Sequence, residues 1–152
     1  MAKSEYIHKA HNVSMILYHY VCPAKYRRIV FDDEEVERVM KETCEGIELR
    51  YEIRFLEVGS DMDHVHFLVQ SIPKLSPTKI ITTIKSITAK QIFLECPQVK
   101  EKLWGGAFWT SGYFVSTVGL HGSEETIAEY IREQGKQEEY RTIQGKQTTL
   151  FS

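Results

Sequence analysis

The alternation of apolar and polar residues predicts four β-strands in this chain of 152 residues. Successive side chains of a strand point to opposite faces, so a period of two indicates a strand with one buried face. Segments that have this period, or that are rich in β-branched and aromatic residues, occupy 13–22, 47–59, 64–72 and about 109–118. The third strand begins four residues after Gly59-Ser60, and this short connection predicts an antiparallel hairpin.

Apolar residues recur at helical spacing in three other segments, 32–46, 76–95 and 123–137. Asp32 or Asp33 can cap the first helix, and Gly46 can end it. Ser76 can cap the second helix, with Pro77 at the favoured first position. The third helix begins with a serine and two glutamates, which suit the positive end of a helix.

The order of these elements is strand, helix, strand, strand, helix, strand, helix. It predicts an α+β fold in which helices pack on one face of an antiparallel sheet, as in a ferredoxin-like or RNA-recognition-like sandwich. A length of 152 residues suits one domain with one core. We therefore expect a single domain over residues 1–152, with a flexible polar tail from about residue 138.

The composition is that of an ordinary globular protein, with 42% hydrophobic and 26% charged residues. The three widely spaced cysteines include no Cys-x-x-Cys pair, which favours small buried side chains over disulfides or a thiolate zinc site. Because the chain has neither an apolar run that could cross a bilayer nor a signal-peptide pattern, we expect a cytoplasmic protein without a membrane partner. A net charge of −2 means that any DNA or RNA surface must be a local basic patch.

The segment DHVHFLVQ, residues 63–70, has the candidate chemistry of the predicted sheet. Its apolar residues Val65, Phe67 and Val69 share one face, and His64 and His66 lie on the other. The two histidines are about 6.6 Å apart along the strand, at about 3.3 Å per residue. Two imidazoles at that spacing can converge on one ion, although two surface histidines on a half-exposed sheet would produce the same pattern.

The third predicted helix places Tyr130 and Gln134 on one face, because they are four residues apart. One interpretation is a plain amphipathic helix whose buried stripe includes Ile127, Tyr130 and Ile131. The other is chemical: a tyrosine hydroxyl, whose ordinary pKa is about 10, becomes a useful nucleophile when it is aimed at a phosphate polarised by a metal ion. An amide oxygen such as that of Gln134 suits Mg²⁺ or Mn²⁺ as a ligand beside two imidazoles.

Taken together, these segments resemble the single-tyrosine HUH transposases of the smallest bacterial and archaeal insertion sequences, the IS200/IS605 family. HUH means His-hydrophobic-His, which is His64-Val65-His66 in this chain. The segments SPTKIITTIKS, LWGGAFWTSGYFVSTVG and IAEYIREQ also resemble the family, in the same order and at similar spacing. The resemblance runs from about residue 10 to residue 137, and it rests on the combination of motifs because His-x-His alone is not specific.

The resemblance implies a single HUH transposase domain that cuts and rejoins single-stranded DNA. His64, His66 and Gln134 would hold one Mg²⁺ or Mn²⁺ ion, and Tyr130 would attack the scissile phosphate in line. The products would be a 5′-phosphotyrosine link and a free 3′-hydroxyl, and a second 3′-hydroxyl would reverse the step. Since the link conserves the phosphodiester energy, no nucleoside triphosphate is required, which fits the lack of a glycine-rich phosphate loop in the sequence.

The resemblance also implies a homodimer with active sites in trans, and a DNA hairpin at the ends of the element as the recognised structure. Asp61 is a candidate further ligand, ranked above Asp63 because the strand phase turns Asp63 towards the apolar side. His19, like the other histidines outside the HUH motif, is expected to be structural or exposed. Basic residues that can contact DNA phosphates are Lys25, Arg27, Arg28, Lys79, Lys85 and Lys90.

Three other functions would share parts of this pattern. A domesticated relative that processes repeated palindromic DNA would have every catalytic residue and differ only in its genomic neighbourhood. A non-catalytic nucleic-acid-binding module could use aromatic residues on the same sandwich to stack bases, and would not need the histidines or Tyr130. A metal-dependent phosphodiesterase would use water as the nucleophile, so it would need the histidines but not Tyr130.

Overall fold

The computed structural model describes residues 6–103 and 106–118, and this part of the chain contains a four-stranded sheet. Its strands are β3 (Ile16–Pro23), β4 (Ile53–Asp61), β5 (His64–Ser71) and β6 (Phe114–Val118). A two-stranded ribbon precedes them and consists of β1 (Ile7–His8) and β2 (Val13–Ser14). The helices are α1 (Glu34–Arg50), α2 (Pro77–Glu95) and the short α3 (Gln98–Lys102).

The four sheet strands lie in the order β4-β5-β3-β6, and each neighbouring pair is antiparallel. The two central strands, β3 and β5, are each followed by a long helix. This is the strand order of a ferredoxin-like sandwich, so the predicted α+β class and the antiparallel sheet are confirmed. The hairpin predicted between the second and third sheet strands is also confirmed, because Asp61 at the end of β4 pairs with His64 at the start of β5.

One face of the sheet is packed against α1 and α2. Val65, Phe67 and Val69 of β5 are fully buried on this face, in one hydrophobic cluster with Val39 of α1 and Ile84 of α2. Burial of one such side chain contributes about 1.5–3 kcal/mol. The odd-numbered positions of β5 therefore attach the sheet to the helices, as the alternation in the sequence predicts.

The predicted helix starts are confirmed by side-chain caps. The carboxylate of Asp33 accepts a hydrogen bond from the backbone N–H of Glu35 at 2.9 Å, and this holds the first turn of α1. The hydroxyl of Ser76 accepts from the backbone N–H of Lys79 at 3.0 Å, with Pro77 at the first position of α2. Both helices thus begin where an acceptor side chain satisfies an otherwise unpaired backbone donor.

The predicted boundary between α1 and β4 is wrong, because α1 continues through Gly46 to Arg50 and β4 begins only at Ile53. Ile47 is 1% exposed and continues the buried stripe of the helix, whereas Leu49 is 89% exposed and has no strand neighbour to cover it. A glycine inside a helix costs about 1 kcal/mol. Burial of Ile47 outweighs that cost, so the alternating pattern from residue 47 to 52 is not a strand.

A bulge in β4 decides which residues lie beside the histidines of β5. Phe55 pairs with Val69, but the next paired residue is Glu57 with Leu68, so the strand has one extra residue between them. Beyond this shift Gly59 pairs with His66, and Asp61 with His64. The bulge therefore turns the end of β4 so that Gly59 and Asp61 join the histidine face.

The last sheet strand is shorter than predicted, since β6 begins at Phe114 and Trp109 makes only an isolated bridge with Ala24. The first predicted strand is divided between β2 and β3. All three cysteines are free and buried, as expected. In the described ranges, no helix is long and apolar enough to cross a membrane. The third predicted helix and the polar tail lie outside the described residues.

Candidate metal centre and nucleic-acid interface

The two HUH histidines lie on β5, one of the two central strands, on the face turned away from α1 and α2. His64 is 3% exposed and His66 is 2% exposed, so the alternative of two surface histidines is wrong. The apolar side chains of Val21 and Leu68 are buried on the same face. Both imidazoles are therefore held in a poorly hydrated environment, where polar groups need specific partners.

The imidazoles converge at their outer nitrogens. His64 Nε2 and His66 Nε2 are 2.9 Å apart, and the two rings meet edge to face. Two nitrogen ligands at right angles around one ion, each about 2.1 Å from it, would be about 3.0 Å apart. The spacing of the two nitrogens therefore fits joint ligation of a single divalent ion.

Each imidazole has a second partner at its inner nitrogen. His64 Nδ1 is 2.9 Å from a carboxylate oxygen of Asp63, which can only accept, so this nitrogen bears the proton. His64 Nε2 is then left with its lone pair. His66 Nδ1 is 3.1 Å from His19 Nε2, and the two rings are stacked. Such partners of metal-binding histidines set the tautomer and the orientation of the ring.

The environment keeps His66 and His19 neutral. Burial is the largest cause that lowers the pKa of His66 well below its usual value, and the neighbouring His64 and His19 lower it further. Burial lowers the pKa of His19 to about 4. Because only a neutral imidazole has a lone pair for a metal ion, His66 is in the form suited to ligation at neutral pH.

The carboxylate that contacts His64 is that of Asp63, although the sequence pattern favoured Asp61. Asp63 precedes β5 and belongs to the turn, so the alternation of the strand does not govern its direction. Asp61 lies across from His64, but one of its carboxylate oxygens accepts from the backbone N–H of Met62 at 2.8 Å. The assignment of Asp61 as a metal ligand stays a prediction.

The described residues do not complete a metal site by themselves. Within 6–103 and 106–118, no group of three or more His, Cys, Asp or Glu side chains is placed to hold an ion. His64 and His66 would therefore need a further ligand. The predicted ligand Gln134 and the predicted nucleophile Tyr130 both lie outside the described residues, so their positions stay predictions.

A basic loop lies next to the turn that leads into the histidines. It consists of Lys25, Tyr26, Arg27 and Arg28 and follows directly after β3. The backbone N–H of Ala24 donates to the Asp63 carbonyl at 2.8 Å. Tyr26 and Arg27 both have positive φ, of 57° and 51°, which is uncommon for residues other than glycine.

This arrangement presents Tyr26 to solvent. Tyr26 is 63% exposed, and the ammonium of Lys25 lies 5.3 Å from the centre of its ring. Beside it is an open cleft of about 650 Å³ lined by Tyr26, Arg27, Arg28, Ile29, Glu101 and Lys102. The loop thus combines an aromatic surface with several cations close to the histidine end of β5.

Comparison with known proteins identifies the family of this chain. The family model for IS200-like transposases matches residues 12–134, a range that includes the HUH histidines, Tyr130 and Gln134. The chain belongs to the IS200-like transposase family. It is therefore a DNA-processing enzyme of the kind found in mobile elements, and the family identified from the sequence motifs is confirmed.

Individual relatives of this transposase show the same likeness. The chain is 29% identical over 126 residues to the ISDra2 transposase TnpA of Deinococcus radiodurans, which covers 83% of this chain and 89% of that protein. It is 31% identical over 120 residues to a Salmonella typhimurium transposase for the insertion sequence element IS200, covering 77% and 75% respectively. A crystal structure from D. radiodurans, of a protein assigned as a transposase, matches with a TM-score of 0.67 and 26% identity over 84% of this chain and 97% of that one.

The predicted DNA-contacting lysines of α2 do not share one surface of the transposase. Lys79 and Lys90 are exposed and are eleven residues apart, or about three turns, so they lie on the same side of the helix. Lys85 points elsewhere: its ammonium donates to the carbonyls of Thr110 and Gly112 at 2.7 and 3.2 Å, and burial lowers its pKa. Lys85 therefore secures the segment before β6.

His19 is the site residue that sequence reasoning missed. It is buried on the histidine face and contacts His66, although it was expected to be structural or exposed without a partner. The contact arises because β3 pairs with β5 so that Val21 faces His66, which places His19 on the adjacent diagonal. A sequence separation of 47 residues hides this neighbour from any local pattern.

Proposed function

We propose that this transposase cuts and rejoins single-stranded DNA through a 5′-phosphotyrosine intermediate. Tyr130 is the nucleophile, and His64, His66 and Gln134 hold one Mg²⁺ or Mn²⁺ ion. The observation that supports this best is the 2.9 Å convergence of two buried imidazoles at their Nε2 atoms. Two residues of this kind serve no packing purpose that an apolar pair would not serve better.

The histidines and their hydrogen-bond partners are arranged to bind the ion. The ion, when bound, withdraws charge from the scissile phosphate and so makes it a better electrophile. Burial lowers the pKa of His66, so this imidazole is neutral and need not release a proton to bind the ion. Asp63 holds His64 in the tautomer that points its Nε2 lone pair at the shared position.

β3 does not supply the nucleophile, although it has two tyrosines next to His19 in the sequence. Tyr18 and Tyr20 alternate with His19, so they lie on the opposite face of the sheet, towards the helices. The hydroxyl of Tyr20 donates to the carbonyl of Pro77 at 2.8 Å, and burial raises its pKa. Neither tyrosine can present its hydroxyl to the histidine face, which supports the assignment of Tyr130.

The proposed reaction exchanges one ester bond for another. The phenolic oxygen of Tyr130 forms a bond to phosphorus, the bond to the 3′-oxygen of the upstream strand breaks, and the phenolic proton is balanced by the proton gained by that 3′-hydroxyl. A second 3′-hydroxyl then attacks the same phosphorus and releases Tyr130. Each step conserves one phosphodiester, so no energy source is needed.

The basic loop supports an approach of single-stranded DNA to the His64 end of β5. Lys25, Arg27 and Arg28 supply positive charge there, and the exposed ring of Tyr26 is suited to stacking on an unpaired base. Lys79 and Lys90 form a second basic surface on α2, which is a candidate for the duplex stem of a hairpin at the ends of the element. A homodimer with active sites in trans completes the proposal.

Covalent capture tests the proposed reaction. The protein is mixed with Mg²⁺ or Mn²⁺ and a library of single-stranded DNAs with varied hairpins and flanks, and a denaturing gel is examined for a protein–DNA adduct. We expect an adduct with the wild type, none with Tyr130→Phe, and an undiminished one with the matched control Tyr51→Phe, which changes an exposed tyrosine.

Other outcomes would replace this proposal. Cleaved DNA without an adduct, retained by Tyr130→Phe, would indicate a phosphodiesterase that uses water. DNA retention on a native gel without cleavage at any of the library sequences would indicate a binding module. An adduct that survives Tyr130→Phe would assign the nucleophile to another residue.

A further inference from the structure

The contact between His19 and His66 has a consequence for the metal site. We propose that His19 is a positioning residue: its Nε2 accepts a hydrogen bond from Nδ1–H of His66 and thereby holds His66 in the tautomer whose Nε2 lone pair faces the ion. This rests on the proposed metal-dependent function, since the role of His19 is defined by a metal at His64 and His66.

Three structural observations place His19 in this role. Its Nε2 lies 3.1 Å from His66 Nδ1, within hydrogen-bond distance. Its ring stacks on that of His66 with centres 5.4 Å apart, and Phe114 packs edge-on against its other side at 6.2 Å. His19 is buried, so water does not readily replace it as the partner of His66.

The same contacts permit a different arrangement of protons when no ion is bound. His19 Nε2–H can donate to His66 Nδ1, His66 Nε2–H can donate to His64 Nε2, and His64 Nδ1–H can donate to Asp63. The four side chains then form one hydrogen-bonded chain directed towards the carboxylate. This arrangement satisfies the 2.9 Å contact between the two Nε2 atoms, because one bears a proton and the other a lone pair.

Metal binding is incompatible with this arrangement of protons, because Nε2 of His64 and Nε2 of His66 must then both offer lone pairs to the ion. His66 has to bear its proton on Nδ1, and His19 has to accept at Nε2 and bear its own proton on Nδ1. His64 is unchanged, because Asp63 already fixes it. The exchange moves two protons between ring positions and releases none, so His19 adapts to metal binding without a change of charge.

A side chain that cannot accept at this position would disfavour the metal-binding tautomer. The Nδ1–H of His66 would remain buried without its partner, which is costly in an apolar environment. Loss of a comparable partner of a metal-bound histidine weakens metal affinity by about 10–100-fold. The metal-free protein would not have this cost, because His66 can retain its proton on Nε2 and donate to His64.

The test compares His19→Phe with His19→Gln, and uses Phe114→Leu as the control for ring packing. Phenylalanine retains a flat ring but has no acceptor, whereas the amide oxygen of glutamine can accept from His66. Dissociation constants for Mn²⁺ are measured by calorimetry, thermal unfolding of the metal-free proteins reports folding, and ¹⁵N NMR of labelled histidines with and without Mg²⁺ reports the tautomer of His66.

We expect His19→Phe to weaken Mn²⁺ binding by about tenfold or more, with His19→Gln and Phe114→Leu close to wild type. In the wild type, Mg²⁺ should move the His66 proton from Nε2 to Nδ1. Equal Mn²⁺ affinities for wild type, His19→Phe and His19→Gln would overturn the role of His19 but not the proposed metal site. Equal losses of Mn²⁺ affinity in His19→Phe, His19→Gln and Phe114→Leu would mean that His19 acts only through packing, and would overturn the inference too. A wild type that binds no Mn²⁺ would instead overturn the metal-dependent function on which the inference depends.

Discussion

The two faces of β5 are equally buried but differ in what their burial accomplishes. On one face Val65, Phe67 and Val69 join the hydrophobic cluster under the helices. On the other, His64 and His66 are buried with polar partners at both ring nitrogens. Burial of the apolar face stabilises the fold directly, whereas burial of the imidazoles costs free energy that their hydrogen bonds only partly offset. This contrast supports the proposed metal site, because a purely structural face would gain more stability from apolar side chains.

The largest effect should come from the apolar face. Phe67→Ala should lower the free energy of unfolding by about 3–5 kcal/mol, because it leaves a cavity among Phe55, Trp109 and the helices. Chemical denaturation of the metal-free protein measures this. His66→Ala is the matched change one position away, and it should cost much less stability while abolishing metal binding. Equal losses of stability for both variants would show that the histidine face stabilises the fold as much as the apolar face does.

A smaller effect should distinguish the two aspartates at the histidine face. Asp63→Ala should weaken Mn²⁺ binding by about 10–100-fold, because His64 loses the acceptor that sets its tautomer. Asp61→Ala should change it much less, since its carboxylate contacts the Met62 backbone N–H. Calorimetric titration with Mn²⁺ gives both affinities. If Asp61→Ala proves the more damaging, Asp61 is itself a ligand, as the sequence suggested.

The smallest effect concerns how stability depends on pH. The pKa of His19 falls from 6.5 to about 4 on folding, and that of His66 is lowered too. Both groups therefore bind more protons when unfolded, so stability is complete above about pH 6.5 and is lost as the pH falls towards the folded values. The slope for each such histidine is at most about 1.4 kcal/mol per pH unit.

Urea denaturation of the metal-free protein between pH 7.5 and 4.5 measures this slope. His19→Phe should reduce the slope of stability against pH by about the contribution of one histidine. Phe67→Ala should lower stability by a similar amount at every pH, since no titrating group is removed. An unchanged slope in His19→Phe would mean that His19 titrates in the folded protein much as it does in the unfolded chain.

Features that depend on near neighbours in the sequence were predictable. The caps Asp33 and Ser76, the alternation of β5 and the hairpin between β4 and β5 were all confirmed. That His64 and His66 share one face of the sheet follows from strand geometry alone. Family membership also followed from the sequence, because the motifs occur together in a specific order.

Other features required the tertiary structure, since they depend on contacts between distant segments. Burial of Ile47 under the sheet extends α1 past Gly46, and the extra residue in β4 brings Gly59 opposite His66. The placement of His19 beside His66 depends on the register between β3 and β5, which no pattern within either strand encodes. A local period determines which side chains share a face, but only packing of the whole sheet determines which side chain on a neighbouring strand lies within hydrogen-bond distance.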